Sequence, residues 1–217
     1  MSNNAAPSTW ETPNVMYTQP NAYLSLPPTG ANVLGALNDI LKMKLSSANN
    51  WINPTLRRYV YTDDPATSNI NILPIFEFKP KSNNTFPFVL LKPDGVQYQS
   101  MGIEDYKSLL SFNPGNQFVG EQNNVMILGK IEIGCISLIG LEALSIVEDI
   151  QLWLMIFNKQ ILDDLKLSSF KTTLTAGPMR IDNPPDCFKA AVQIDWSGEL
   201  VWSVDVNRPP FRETTIK

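Results

Sequence analysis

The chain has 217 residues, with 17 Lys and Arg against 21 Asp and Glu, a net charge of −4, and no histidine. This balance argues against a general nucleic-acid binder, which carries a basic face, and does not exclude contact with DNA that must slide past without sticking. The lack of histidine removes the commonest metal ligand and the commonest general base.

Seventeen prolines and many asparagines favour extended connections over a helical bundle. Residues 1–30 carry Pro7, Pro13, Pro20, Pro27 and Pro28 among Asn, Ser and Thr. They lack the basic start and apolar stretch of a signal peptide. They read as an extended arm, set apart from a single domain over 31–217. Apolar side chains are dotted along the arm, Trp10, Tyr17 and Tyr23 among them. By composition alone such a segment is a disordered tail; an ordered arm needs its own domain or a neighbouring subunit to lie on. No segment reaches 18 consecutive apolar residues, so no membrane span is expected.

Leu34, Leu37, Leu41 and Leu45, supported by Ile40, predict an amphipathic helix over 31–46. Residues 58–62 predict a short strand, and Asp63-Asp64-Pro65 a turn. The alternation through Ile70, Ile72, Pro74, Phe76 and Phe78 predicts a strand over 70–78, at an edge or with a bulge because Pro cannot donate to a ladder. A polar loop is expected over 79–87 and an inner strand over 88–92. Pro93-Asp94-Gly95 predicts a turn, and 96–124 an irregular stretch with a short helix at 103–110. Residues 125–136 alternate again, with Val125, Ile127, Ile131, Ile133 and Cys135 on one face. Ser137 is placed to cap the next helix. That helix, 138–166, carries a stripe through Leu144, Val147, Ile150, Leu154, Phe157, Ile161 and Leu165. Ile146, Trp153 and Ile156 widen it, which predicts burial on more than one side. Residues 167–187, with Gly177-Pro178 and Pro184-Pro185, read as a long connection.

From Phe188 to Val206 every even-numbered residue is non-polar, and the odd ones are mostly polar. A period of two held this long means a strand with one buried face. A hairpin turning at Ser197-Gly198 would pair 195 with 200 and 196 with 199, splitting the apolar face between the two sides. One strand is therefore expected, with Gly198 as a bend or bulge. Its residues, at about 3.3 Å each, span roughly 60 Å, whereas a compact chain of this length is about 45 Å across. The strand must curl, bend, or leave the subunit and pair with a neighbour. The elements together predict an α+β fold: a mostly antiparallel sheet, two helices packed on one face, an over-long C-terminal strand and an extended N-terminal arm.

The carboxylate pairs Asp63/Asp64, Glu148/Asp149 and Asp163/Asp164 are sequence neighbours. On a helix such neighbours do not face each other, and turn chemistry or a solvated helix end accounts for them. No P-loop, G-x-G-x-x-G or G-x-S-x-G motif occurs. Arg57-Arg58 reads as a solvated or ion-paired face. No catalytic residue, cofactor or metal site is expected. The only cysteines are Cys135, in an apolar run, and Cys187, after Pro-Pro-Asp and expected near the surface. Two cysteines suit a reducing compartment, with a Cys135–Cys187 disulfide as the alternative. The apolar and aromatic surplus over one small core is assigned to an oligomer interface: Trp10, Tyr17, Tyr23, Trp153, Trp196, Leu200, Trp202 and Val204.

The element order over Val33–Leu45, Arg58–Lys92 with its Tyr-Val-Tyr-Thr-Asp-Asp-Pro, Val125–Leu165 and Phe188–Val206 resembles the tail terminator and neck proteins of tailed bacteriophages. The Asn- and Pro-rich arm and the 93–124 insertion go beyond the compact pattern of that family. The resemblance implies a structural virion protein, assembled in the host cytoplasm. It also implies a ring, commonly hexameric, that caps the tail tube or sheath and joins it to the head connector. Double-stranded DNA would pass through the lumen unbound. A non-virion homo-oligomeric binding module, built on a sheet between subunits, is the other reading. An enzyme would have to work through carboxylate, Lys or Tyr chemistry.

Overall fold

The computed structural model describes residues 27–64, 66–78, 87–99, 109–112, 118–182 and 186–205. Of residues 109–112, 118–124, 176 and 201–205 only the backbone is described. The N-terminal arm up to residue 26, with Trp10, Tyr17 and Tyr23, lies outside the described residues, as does the 79–86 loop.

Helix α1 spans Gly30–Leu45. The Thr29 hydroxyl caps it by accepting the Asn32 amide at 3.3 Å, which satisfies one of the first-turn donors that have no helical partner. Its apolar stripe, including Val33, Leu37, Ile40 and Leu41, is fully buried. Three short 3-10 turns (Ala48–Asn50, Pro54–Leu56 and Ile75–Glu77) follow along the chain. The strands are β1 Asn71–Pro74, β2 Phe88–Gln99, β3 Leu109–Phe112 and β4 Phe118–Ser137. Helices α2 Gly140–Ile156 and α3 Asn158–Leu165 lead into β5 Leu167–Ile181 and β6 Cys187–Asp205.

The strands form one sheet in the order β1-β2-β4-β6-β5, with β3 on β4 beyond the end of β2. Only β1 and β2 run parallel; the other pairs are antiparallel. The helices share one face. The odd positions Ile127, Ile131, Ile133 and Cys135 of β4 and the even positions Ala190, Val192, Ile194 and Trp196 of β6 meet Leu37, Ile146, Ile150 and Trp153 in one core. The opposite face holds a smaller cluster of Phe88, Leu90, Ile136 and Cys187. The fold is thus α+β, with a mostly antiparallel sheet and a long last strand.

Several local expectations are corrected. Residues 58–62 form no strand: Arg58 lies in a turn, and the extended segment after it makes single backbone bonds, Tyr61 to Leu45 and Asn69 to Val60. The strand expected over 70–78 stops at Pro74, where a 3-10 turn takes over. Pro93-Asp94-Gly95 is a bulge inside β2 rather than a turn, with Gly95 at a φ of 115° that favours glycine. Part of the stretch read as irregular is strand: Val96–Gln99 continue β2, and Leu109 and Leu110, expected at the end of a helix, begin β3. The expected 138–166 helix is broken at Phe157, which leaves helical geometry at ψ 11°. The Asn158 amide that opens α3 donates to the Phe170 carbonyl at 2.8 Å and holds the new direction. Ser137 does not fill the cap position, which Ile139 occupies. The 167–187 connection is mainly β5, an edge strand whose register shifts around Gly177-Pro178 accommodate the proline.

The long strand is single. Eighteen consecutive positions of β6, Phe188 to Asp205, pair with β4 without a register shift. Gly198 is not a bulge in that ladder. The irregularity lies on the β5 side, where Leu167 pairs with Gly198 and Ser169 with Ser197, leaving Ser168 as the extra residue.

Candidate functional site

Gly198 divides β6 into two unlike halves. Up to Gly198 the strand pairs with β4 on one edge and β5 on the other. From Glu199 to Asp205 its only partner among the described residues is β4, which carries β3 on its far side. Among the described residues no strand lies on the other edge of this seven-residue stretch, about 23 Å long. A β3–β4–β6 ribbon therefore runs on past the last pair that β5 makes.

Exposed strand edges invite pairing, and proteins blunt them with short length, proline, bulges, charged side chains (lysine above all) or a covering helix or loop. Two other edges of this sheet, at β1 and β5, carry such devices. β1 is four residues long and ends in Pro74; β5 holds Pro178 and three register shifts. The open edge of β6, Glu-Leu-Val-Trp-Ser-Val-Asp, carries an acid at each end but no proline, no lysine and no irregularity against β4. At its root the Pro28 ring lies so close to Gly198 that a β-carbon there would come within 2.7 Å of it. The arm therefore enters the body where the covered half of β6 ends.

A second surface lies on α2. Its inner side is buried through Ala143, Ile146, Val147, Ile150 and Trp153. Its outer side exposes Leu141 (71%), Leu152 (49%), Met155 (56%) and Ile156 (59%). Exposed apolar residues gathered on one helix face mark an interaction surface more often than isolated ones do.

The expected interface residues separate. Trp153 and Trp196 are 1% and 2% exposed and belong to the core of the subunit, so they have no surface to give to a partner. Gly129 makes room for Trp196, since a β-carbon at that position would collide with the indole ring. Leu200 is half-buried against the same core. Trp202 and Val204 lie on the uncovered half of β6, where the backbone alone is described. Cys135 and Cys187 are free thiols, both buried, on opposite faces of the sheet. No disulfide joins them, and Cys187, expected near the surface, is 1% exposed. Burial pushes both thiols up from their ordinary range.

Two polar clusters brace the helices. Lys44 Nζ, fully buried, donates to Asp149 Oδ1 at 2.6 Å and lies 4.3 Å from the centre of the Trp51 ring. Asp149 Oδ2 accepts the Asn53 amide at 2.6 Å. Burial lowers the Lys44 pKa, with Asp149 opposing the shift. The pair ties the end of α1 and the 48–53 turns to α2 across 105 positions of sequence. Glu142, in the first turn of α2, accepts from Arg58 at 2.9 Å and from the Tyr59 and Ser137 hydroxyls. Burial first, then the bond to Glu142, pushes the Tyr59 phenol up to about 12. A carboxylate engaged by three donors acts as a clasp. Of the sequence-neighbour acids, Asp149 and Asp164 are buried while Glu148 and Asp163 are exposed. The expectation of a solvated end at 163–164 therefore holds only for Asp163.

On the sheet face away from the helices lies a groove of about 600 Å³. It is lined by the β2 bulge at Asp94–Gln97, by Leu128 and Lys130 of β4, by Ser169 and Lys171 of β5, and by Asp195 and Ser197 of β6. Lys130 and Asp195 face each other there at 3.8 Å, and the Ser169 and Ser197 hydroxyls share a hydrogen bond of 2.7 Å. No described helix is long and apolar enough to cross a membrane. No protein-family model matches the chain, and no curated protein matches it significantly.

Proposed function

We propose that the chain is a structural ring protein of a tailed-phage virion. It sits at the tail–neck junction, terminates the tail tube or sheath, and joins it to the head connector. It has no catalytic task in this role and takes no cofactor. The observation that carries the assembly part is the β6 edge over 199–205, which no strand flanks among the described residues. An exposed strand edge is a template for pairing with another chain, and main-chain bonds supply the affinity. The same pairing repeated head to tail closes a ring when its rotation permits. Placement at the neck is supported by the likeness in element order. The net charge of −4 suits a lumen through which DNA moves without sticking. Assembly in the host cytoplasm accords with free thiols at both cysteines.

Light scattering and negative-stain microscopy of the full chain test the proposal. Closed rings of uniform copy number are expected. A strict monomer at all concentrations, from a gene with no portal, tube or sheath gene beside it, overturns it. The groove on the open sheet face favours a second reading, a homo-oligomeric binding module with no virion role. In that case the oligomer forms, a small ligand fills the groove, and virions lacking the protein are intact.

A further inference from the structure

We infer that the exposed apolar face of α2 is covered, in the assembled protein, by residues 1–26 of a neighbouring copy of this chain. The inference rests on the reading of the chain as a self-assembling protein. The face needs a cover: Leu141, Leu152, Met155 and Ile156 are each about half exposed or more, on a helix that holds no basic residue. Its outer side interrupts the apolar run with one exposed acid, Glu148. A partner suited to such a strip is apolar and nearly uncharged. The first 26 residues fit, since Glu11 is their only charged side chain and Trp10, Tyr17 and Tyr23 punctuate them.

Geometry matches at both ends. Beside Leu141 the strip runs into a hollow of about 250 Å³, also lined by Thr55, Leu56, Arg58, Ile139 and Ser145. An aromatic ring seated in a pocket is the usual anchor of an interface. From Leu141 to Ile156 the helix rises about 22 Å. An extended, proline-rich segment rises about 3.1 Å per residue, so Trp10 and Tyr17 would also stand about 22 Å apart. One aromatic side chain can then occupy the hollow while the other lies on Met155 and Ile156.

Reach and root point to the neighbour. Twenty-six extended residues span about 80 Å, well beyond the roughly 45 Å of one subunit. The arm leaves the body at Pro28, against Gly198. That is the base of the open β6 edge, where edge pairing would bring the next copy.

Cysteine pairing in the full-length protein tests this. Ser145→Cys is placed at the hollow in one preparation and Glu11→Cys beside Trp10 in another; the native thiols are buried. On mixing and mild oxidation, a disulfide-linked dimer of the two different chains is expected. Separately, Leu152→Asp and the pair Trp10→Ser/Tyr17→Ser should each weaken self-association roughly tenfold or more, while the circular dichroism of the subunit stays unchanged. If the chain assembles but the disulfide forms only within a molecule carrying both cysteines, the arm covers its own helix and the inference is overturned. Assembly with no disulfide, and no effect of either set of substitutions, overturns it while leaving the proposed role intact. A chain that never self-associates overturns the inference together with the self-assembly on which it rests.

Discussion

The two halves of β6 follow one sequence rule and meet two different environments. From Ala190 to Trp196 the even positions pack in the core beneath α2, and β5 closes the second edge. From Glu199 to Asp205 the alternation continues through Leu200, Trp202 and Val204, yet β5 is gone and, among the described residues, only β4 pairs. In the first half the apolar face is used up within the subunit. In the second the same pattern runs on where, among the described residues, no strand flanks the other edge. Alternation thus reports that a face is to be buried, not which chain buries it.

The largest expected effects come from breaking the covered half. Trp196→Ala should cost about 3–5 kcal/mol, read as a loss of denaturant midpoint, because the ring fills a site built around Gly129. Asp149→Ala should cost a similar ~3–5 kcal/mol, since it leaves the Lys44 ammonium buried without its partner. A Lys44→Met/Asp149→Leu double substitution should cost less than Asp149→Ala, and urea titrations of the variants measure the difference.

A smaller effect reads the clasp beneath α2. The Tyr59 phenol titrates near 12 in the folded chain against about 10 when unfolded. Its contribution is therefore complete below pH 10 and is lost as pH rises from 10 toward 12, where the unfolded chain ionises first. Subtracting Tyr59→Phe stability from wild type across that range should give a difference that declines with pH. A flat difference would show that neither burial nor the bond to Glu142 holds the phenol neutral.

The smallest effect on the subunit belongs to the uncovered half. Trp202→Asp should change subunit stability by under about 1 kcal/mol, while assembly is lost. Unfolding of the subunit by this substitution would place position 202 in the internal core and remove the contrast.

Much of this contrast is legible in sequence because period and parity are local. The single long strand, α1 and the inward face of β4 follow from residues two to four apart. The strand β5 escapes such reading, since Gly177-Pro178 mimics a connection and only its place at an edge lets proline remain. The β2 bulge escapes for the same reason, a turn signature absorbed into a strand. The Lys44–Asp149 pair and the Arg58–Glu142 contact join residues 105 and 84 positions apart, which no local pattern encodes. The interface assignment failed at Trp153 and Trp196 because aromatic surplus alone does not separate core from contact. The absence of proline and lysine along 199–205 was readable, but it gains meaning only once the strand is known to be an edge.

Hydrogen–deuterium exchange over residues 199–205, followed as a function of protein concentration, addresses the central claim most directly. If this stretch is an edge that pairs between subunits, its amides should exchange quickly in dilute protein and become protected as assembly proceeds, while those of 188–197 stay protected throughout. Protection of 199–205 that is the same at every concentration would contradict the account.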